Sequence, residues 1–202
     1  MSLLSHYGFF GCLRLVIDKF LTLSISRHAR IIRRPFDIRG KDKIKIGKGF
    51  TTGRYCRLEA YGDKPSPALI IGIDCQINDS VHIAAGECVK LGDNVLIASR
   101  VFITDLNHGA YVGENQSHPD SICRNRELST APVYIESNVW LGEGVVVLPG
   151  VVIGKSSIIG ANSVVTKEGA NKQVISSQAD SLIKISRIWA DFFPANTSNQ
   201  PI

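Results

Sequence analysis

Sulfur is scarce in this chain. It has a single methionine and five cysteines, Cys12, Cys56, Cys75, Cys88 and Cys123, an odd set without a C-x-x-C pair. A disulfide framework or a cysteine-bound metal is not the expectation, and most of these residues fall inside apolar register. Buried reduced thiols are therefore expected, which fits a cytoplasmic setting. No apolar run is long enough to span a bilayer, because Arg14, Asp18 and Lys19 interrupt the first one. A leading positive charge of the secretory kind is also missing. Acidic residues are few in the first part of the chain. Residues 1–60 hold 13 of the 23 basic residues and 4 of the 18 acidic ones, and the remainder carries 10 against 14. The net charge of +5 thus hides a local basic patch suited to an anionic surface, a phosphorylated ligand or nucleic acid. Aromatic and basic residues are not interleaved as a nucleic-acid module would require.

A strict period organises what is there. Every sixth residue from Ile135 gives Ile135, Leu141, Val147, Ile153, Ile159 and Val165, and Gly142, Gly154 and Gly160 follow three of them. Helices space apolar residues by three and four and half-buried strands by two, so a period of six predicts a solenoid. Three sixes make one triangular coil, stacked on the next at about the 4.8 Å spacing of neighbouring strands. The glycines are expected at the corners, where a side chain would obstruct the turn. One domain plus a short appendage accounts for the length.

Read in order, Tyr7 to Ile25 predicts an amphipathic helix, followed by Arg27, His28, Arg30, Arg33 and Arg34. Two readings stay open for it, a cap over the first coil and contact with a membrane surface. The solenoid is expected over 44–168, after an N-terminal segment 1–43 and before a C-terminal helix and tail over 169–202. Tyr61 to Pro67 reads as an extruded turn, and a two-residue slip lengthens the corner near Glu87 to Lys90. The register is lost over about 106–131. A structureless excursion of that length inside a compact domain is usually functional, so chemistry is expected where it leaves the coil.

The segment NVWLGEGVVVLPGVVIGKSSIIGANSVVTK, Asn138 to Lys167, resembles the most typical stretch of the hexapeptide-repeat acyltransferases, and ITDLNHG, Ile103 to Gly109, is similar to their catalytic-histidine motif. Phe36 to Gly62 and FITDLNHGAY look most like the O-acetyltransferases of bacterial surface-polysaccharide clusters. The resemblance covers about residues 40–170. It implies an all-β solenoid, a left-handed parallel β-helix with an N-terminal amphipathic helix and a short C-terminal helix. It also implies a homotrimer and transfer from acetyl-CoA, without a metal, to a sugar hydroxyl of lipopolysaccharide O-antigen, capsule or exopolysaccharide. The glycan acceptor could be lipid-linked, with the enzyme in the cytoplasm or at the inner face of the inner membrane.

A neutral hydroxyl needs a base within hydrogen-bond reach as it attacks a thioester, and an imidazole with an ordinary pKa near 6.5 suits the task. The matching motif makes His108 that base, with Asp105 orienting it or holding acceptor hydroxyls. Asn78, thirty positions earlier, matches an acceptor-binding asparagine of galactoside-type relatives, and Asn107 and His82 join it as acceptor candidates. For the donor, the resemblance assigns Trp140, Gly142, Gly160 and Ala161 to the pantetheine arm, and Thr166, Lys167 and Lys184 to the nucleotide end. The stretch SSQADSLIK departs from the family's usual G-x-P-A turn there. Three alternatives are carried: a small-sugar or amino-sugar acetyltransferase, a γ-carbonic-anhydrase-like metalloenzyme, and a basic nucleic-acid module. The metalloenzyme would need an H-x-x-x-x-H pair, which neither His108 nor His118 supplies.

Overall fold

The computed structural model describes residues 3–62, 66–111 and 116–167. Short parallel strands stack into three flat faces of a triangular prism. The first face holds Phe36–Arg39, Cys56–Ala60, His82–Ala85, Phe102–Thr104, Val146–Val147 and Val164–Val165. The second holds Ile44–Ile46, Leu69–Ile71, Val89–Leu91, Val133–Ile135 and Val152–Ile153, and the third Thr51–Thr52, Gln76–Ile77, Leu96–Ile97, Trp140–Leu141 and Ile158–Ile159. Each face buries one aliphatic column. Ile38, Leu58, Ile83, Ile103, Val147 and Val165 are in register on the first face, and Ile46, Ile71, Leu91, Ile135 and Ile153 on the second. On the third, Thr52 is followed by Ile77, Ile97, Leu141 and Ile159. The period of six is therefore the spacing between inward side chains of successive faces.

All of the irregularities gather on one edge. From the second face to the third, and from the third to the first, every inward step is six residues. From the first to the second, the steps are 8 (Ile38 to Ile46), 13 (Leu58 to Ile71), 8 (Ile83 to Leu91), 32 (Ile103 to Ile135) and 6 (Val147 to Ile153). The 13-residue step, the slip and the long loop all fall on that edge. This also explains why the solenoid starts at Phe36 and not at Ile44: the first inward step is eight, so a six-residue period does not reveal the opening strand.

Of the three glycines in the six-residue register, Gly142 is set by the stacking of coils, whereas a Cβ on Gly154 or Gly160 would meet only ordinary contacts at 3.9 and 3.8 Å. Gly142 is not in the left-handed region, but a Cβ on it would lie 2.7 Å from Ala161 N and 2.9 Å from Ile159 O of the next coil. Close stacking of coils demands the glycine. Left-handed corner conformation falls two residues later and is often met by short polar side chains, as at Asn94, Asn138, Ser156 and Asn162.

The helix runs Leu3–Thr22, with a kink at Gly8 (φ 66). The first coil is underlain chiefly by the segment after it. Ile31 bridges to Thr51, and Ala29 and Ile32 are buried with Phe50 in the core. The helix is fastened to that segment through Thr22, whose hydroxyl donates to Asp18 O at 2.7 Å and accepts from Ile32 N at 2.8 Å.

Candidate active site

The long loop has an ordered root. Leu106–His108 pairs antiparallel with Leu128–Thr130, placing His108 opposite Leu128 and Asn107 opposite Ser129. The expected structureless excursion is thus a two-stranded stem where it leaves the coil. Arg126 braces the loop, donating to Ser121 Oγ at 2.8 Å, to Tyr111 Oη at 3.0 Å and to Pro119 O at 2.9 Å, and Tyr111 Oη donates to His108 O. His108 is exposed on this stem. Beneath it lies a cleft of about 580 Å³ that includes Glu59, Tyr61, His82, Phe102, Asn107 and His108.

The cleft has a polar end and an apolar end because of the register of the first face. Its outward columns run Asp37, Arg57, His82, Phe102, Val146 and Arg39, Glu59, Ala84, Thr104, so the charges sit on the lower coils. The Glu59 side chain is only 6% exposed and accepts from Arg39 Nη1 at 2.8 Å and His82 Nε2 at 3.0 Å. Arg57 Nη2 lies 3.2 Å from His82 Nδ1. With the proton on Nε2, His82 donates to Glu59 and accepts from Arg57, so the ring is locked. Burial pushes the Glu59 carboxyl up, but the hydrogen bonds from His82 and Tyr61 and the Arg57 charge outweigh it and hold it below its usual range. Phe102 lies against His82, with ring centroids 4.9 Å apart.

Asp105 does not face this cleft as an orienting acid. It is fully buried, and its carboxylate accepts from three backbone amides, Gly86 N at 2.6 Å, Glu87 N at 2.8 Å and Cys88 N at 2.6 Å. It ties the root of the loop to the lengthened corner of the coil below. The expected partnership with His108 is replaced by a clamp on the backbone that carries His108.

The other expected residues divide between two edges of the prism. Asn78, Gly142 and Gly160 stand in one column on the edge between the third and first faces: Asn78 N donates to Ile97 O, Ala98 N to Leu141 O and Gly142 N to Ile159 O. Ala161 follows on the same edge, and Trp140, 47% exposed, lies between Leu96 and Ile158 on the adjoining third face. A second cleft, of about 530 Å³, lies between Asn78 and the helix residues Tyr7, Gly11 and Arg14. Thr166 and Lys167 stand on the His108 side, both exposed, with Lys167 against Gly150. Within one chain, His108, Asn107 and His82 share a cleft, while Asn78 and the donor candidates do not join them. Lys184 and the SSQADSLIK stretch lie outside the described residues.

Sequence reasoning missed Glu59, Tyr61 and the apolar wall of Phe102, Leu106, Leu128 and Leu148. Glu59 carried a signal, as an acid on a strand opening to a histidine one coil above. Cys56 and Cys75 are core residues. Burial pushes the Cys56 thiol up to about 11 and raises Cys75 as well, so neither is a ready nucleophile.

Residues 132–167 match the family described as bacterial transferase hexapeptide (six repeats). An Escherichia coli K12 protein, named "Putative lipopolysaccharide biosynthesis O-acetyl transferase WbbJ", is 42% identical over 185 residues, spanning 91% of this chain and 93% of its own length. The chain belongs to the bacterial hexapeptide-repeat transferases. It is an acyltransferase, and its parallel coil is the left-handed β-helix of that family. The Escherichia coli galactoside O-acetyltransferase is 38% identical to this hexapeptide-repeat chain over 98 residues, covering 48% of it and 44% of the relative. Among solved structures, the N-acyltransferase AntD of Bacillus cereus, in complex with dTDP and 3-hydroxybutyryl-CoA, superposes with a TM-score of 0.57 at 20% identity. That alignment covers 80% of this chain and 89% of AntD, and the likeness is one of fold.

Proposed function

We propose that this hexapeptide-repeat transferase moves an acetyl group from acetyl-CoA to a sugar hydroxyl of a bacterial surface glycan, with His108 as general base. The observation that carries the reading is His108 exposed on a braced stem above a cleft with hydroxyl-binding groups at one end and apolar walls at the other. The relative named for lipopolysaccharide O-acetyl transfer supports the acceptor class. His108 takes the hydroxyl proton as the oxygen attacks the thioester carbonyl. The C–S bond breaks, and the same proton passes to the departing sulfur, so no acyl-enzyme is needed. Asn107, His82, Glu59 and Tyr61 are the groups for sugar hydroxyls, and Asp105 keeps the stem in place.

The split of the expected residues between two edges supports a second element of the reading, sites shared between copies of a homotrimer. The column of Asn78, Gly142 and Gly160 with Trp140 on one copy would face the His108 edge of the next, with Thr166 and Lys167 at the nucleotide end. Light scattering tests this, and a stable, fully active monomer would end it. The acceptor class is tested by mass spectrometry of surface glycans from a deletion strain, which should have lost one acetyl increment per substituted sugar. If glycans are unchanged while a small soluble sugar stops being acetylated, the galactoside-type reading replaces this one.

A further inference from the structure

The N-terminal helix is inverted relative to an ordinary surface helix. Its stripe of Gly11, Leu15, Asp18 and Thr22 faces the solenoid, with Asp18 2% and Thr22 1% exposed. Asp18 accepts from Arg34 N and from Arg54 Nη2, both at 3.1 Å. The opposite face carries Phe9 (70% exposed), Phe10 (82%), Leu13 (50%), Val16 (52%), Ile17 (50%) and Phe20 (70%). Amphipathic helices of soluble domains turn such a stripe inward. Here the polar stripe is used for docking to the coil and the apolar one is left outside, far beyond scattered surface apolar residues.

We infer that this outer face is a docking element for an anionic lipid bilayer, in which the helix lies along the membrane interface. Three observations select lipid. The helix's one acid, Asp18, is turned inward, and Lys19 reaches back to Arg30 O, so the outer face carries no negative charge. Basic residues surround its C-terminal end: Arg27 is exposed just beyond it, Arg30 is exposed beside it while pairing with Asp74 at 3.0 Å, and Lys41 donates to Ser24 O at 2.7 Å. This is the basic third of the chain, and its charge complements anionic headgroups while the phenylalanines enter the acyl boundary. No helix among the described residues is long and apolar enough to cross a membrane, so the element lies on the bilayer. Same-face pairing of two copies would bring two basic segments together, and a contact of this face with a different face of a neighbouring copy is distinguished by the oligomer size read in the test below. The helix also walls the cleft at Asn78, so docking would hold that cleft at the bilayer surface, where a lipid-linked glycan is presented. That consequence rests on the proposed acceptor, whereas the docking does not.

Flotation of the full chain with phosphatidylcholine vesicles, with and without phosphatidylglycerol, tests the inference. The chain should float with the phosphatidylglycerol vesicles and release as salt is raised. Replacing Phe9, Phe10 and Phe20 by Ser should weaken binding by about tenfold for each phenylalanine that inserts. The melting temperature should not change, since these rings are exposed. Failure of the wild type to float, or unchanged flotation of the triple variant, overturns the inference. So does a triple variant that changes only oligomer size, which would assign the face to a second copy. Vesicle binding is read without acetyl transfer, so it stands or falls separately from the acceptor.

Discussion

Replacing Asp105 separates a clamp from a catalytic acid. Asp105→Ala leaves the amides of Gly86, Glu87 and Cys88, now bonded at 2.6 to 2.8 Å, without an acceptor in a fully buried place. A hydrogen bond to a charged group contributes about 1.5–3 kcal/mol, and water entering the vacated space offsets part of the loss. About 4 kcal/mol is then expected, a large share of the roughly 5–15 kcal/mol that holds a domain together. Asp105→Asn keeps an acceptor oxygen but turns an NH2 toward at least one amide, for about 2 kcal/mol. At about 2–4 °C per kcal/mol for a domain of this size, Asn should lower the melting temperature by about 4–8 °C and Ala by about twice that. Thermal melts followed by circular dichroism, with His108→Ala as control, give the comparison. His108 is exposed, so its removal should cost within about 0.5 kcal/mol. An Asp105→Asn variant that melts with the wild type yet has lost transfer would refute the clamp and restore the orienting role.

Three further outcomes follow from the same geometry. Glu59 is held below the usual carboxylate range, so its stabilising contribution is complete above that range and is lost as pH falls through its folded value; Glu59→Gln should flatten the acid side of a stability-against-pH curve. The Cys56 thiol, pushed up to about 11, remains protonated in the folded state while the unfolded thiol ionises, so stability should decline from about pH 9 upward, and alkylation of the native protein should reach exposed Cys123 well before Cys56 or Cys75. Trp140→Ala should chiefly weaken acetyl-CoA binding, read by calorimetry, and leave the melting temperature nearly unchanged because the ring is about half exposed on the third face.

The repeat was legible because burial enforces it: a side chain at Ile83 or Ile97 that broke the six-residue step would point out of a core only one residue deep per face. The opening strand Phe36–Arg39 was hidden by its eight-residue step, a local exception imposed by the one irregular edge. That residues 106–108 stand where the chain leaves the coil was legible from the loss of register after Ile103. The role of Asp105 was not, since D-x-x-H in sequence does not say whether the carboxylate turns toward the imidazole or under the neighbouring corner. Glu59 escaped because its meeting with His82 spans a coil, and cross-coil neighbours become visible only once strand register is known; Tyr61 escaped with it, since it joins the site through Glu59. The helix followed its apolar spacing, but which face meets the coil depended on Arg34 and Arg54 waiting for Asp18.

The account rests most directly on His108, and single-turnover transfer to the natural acceptor by His108→Ala, beside a measurement of acetyl-CoA affinity, tests it. A positioned general base is worth about 10²- to 10⁴-fold, so the rate should fall by that much while donor affinity stays nearly unchanged. The wild-type rate should also climb with pH across the range where an imidazole loses its proton, and the variant should lose that dependence. Near-normal turnover by His108→Ala, or an acetylated protein that accumulates when donor is given without acceptor, would contradict the mechanism.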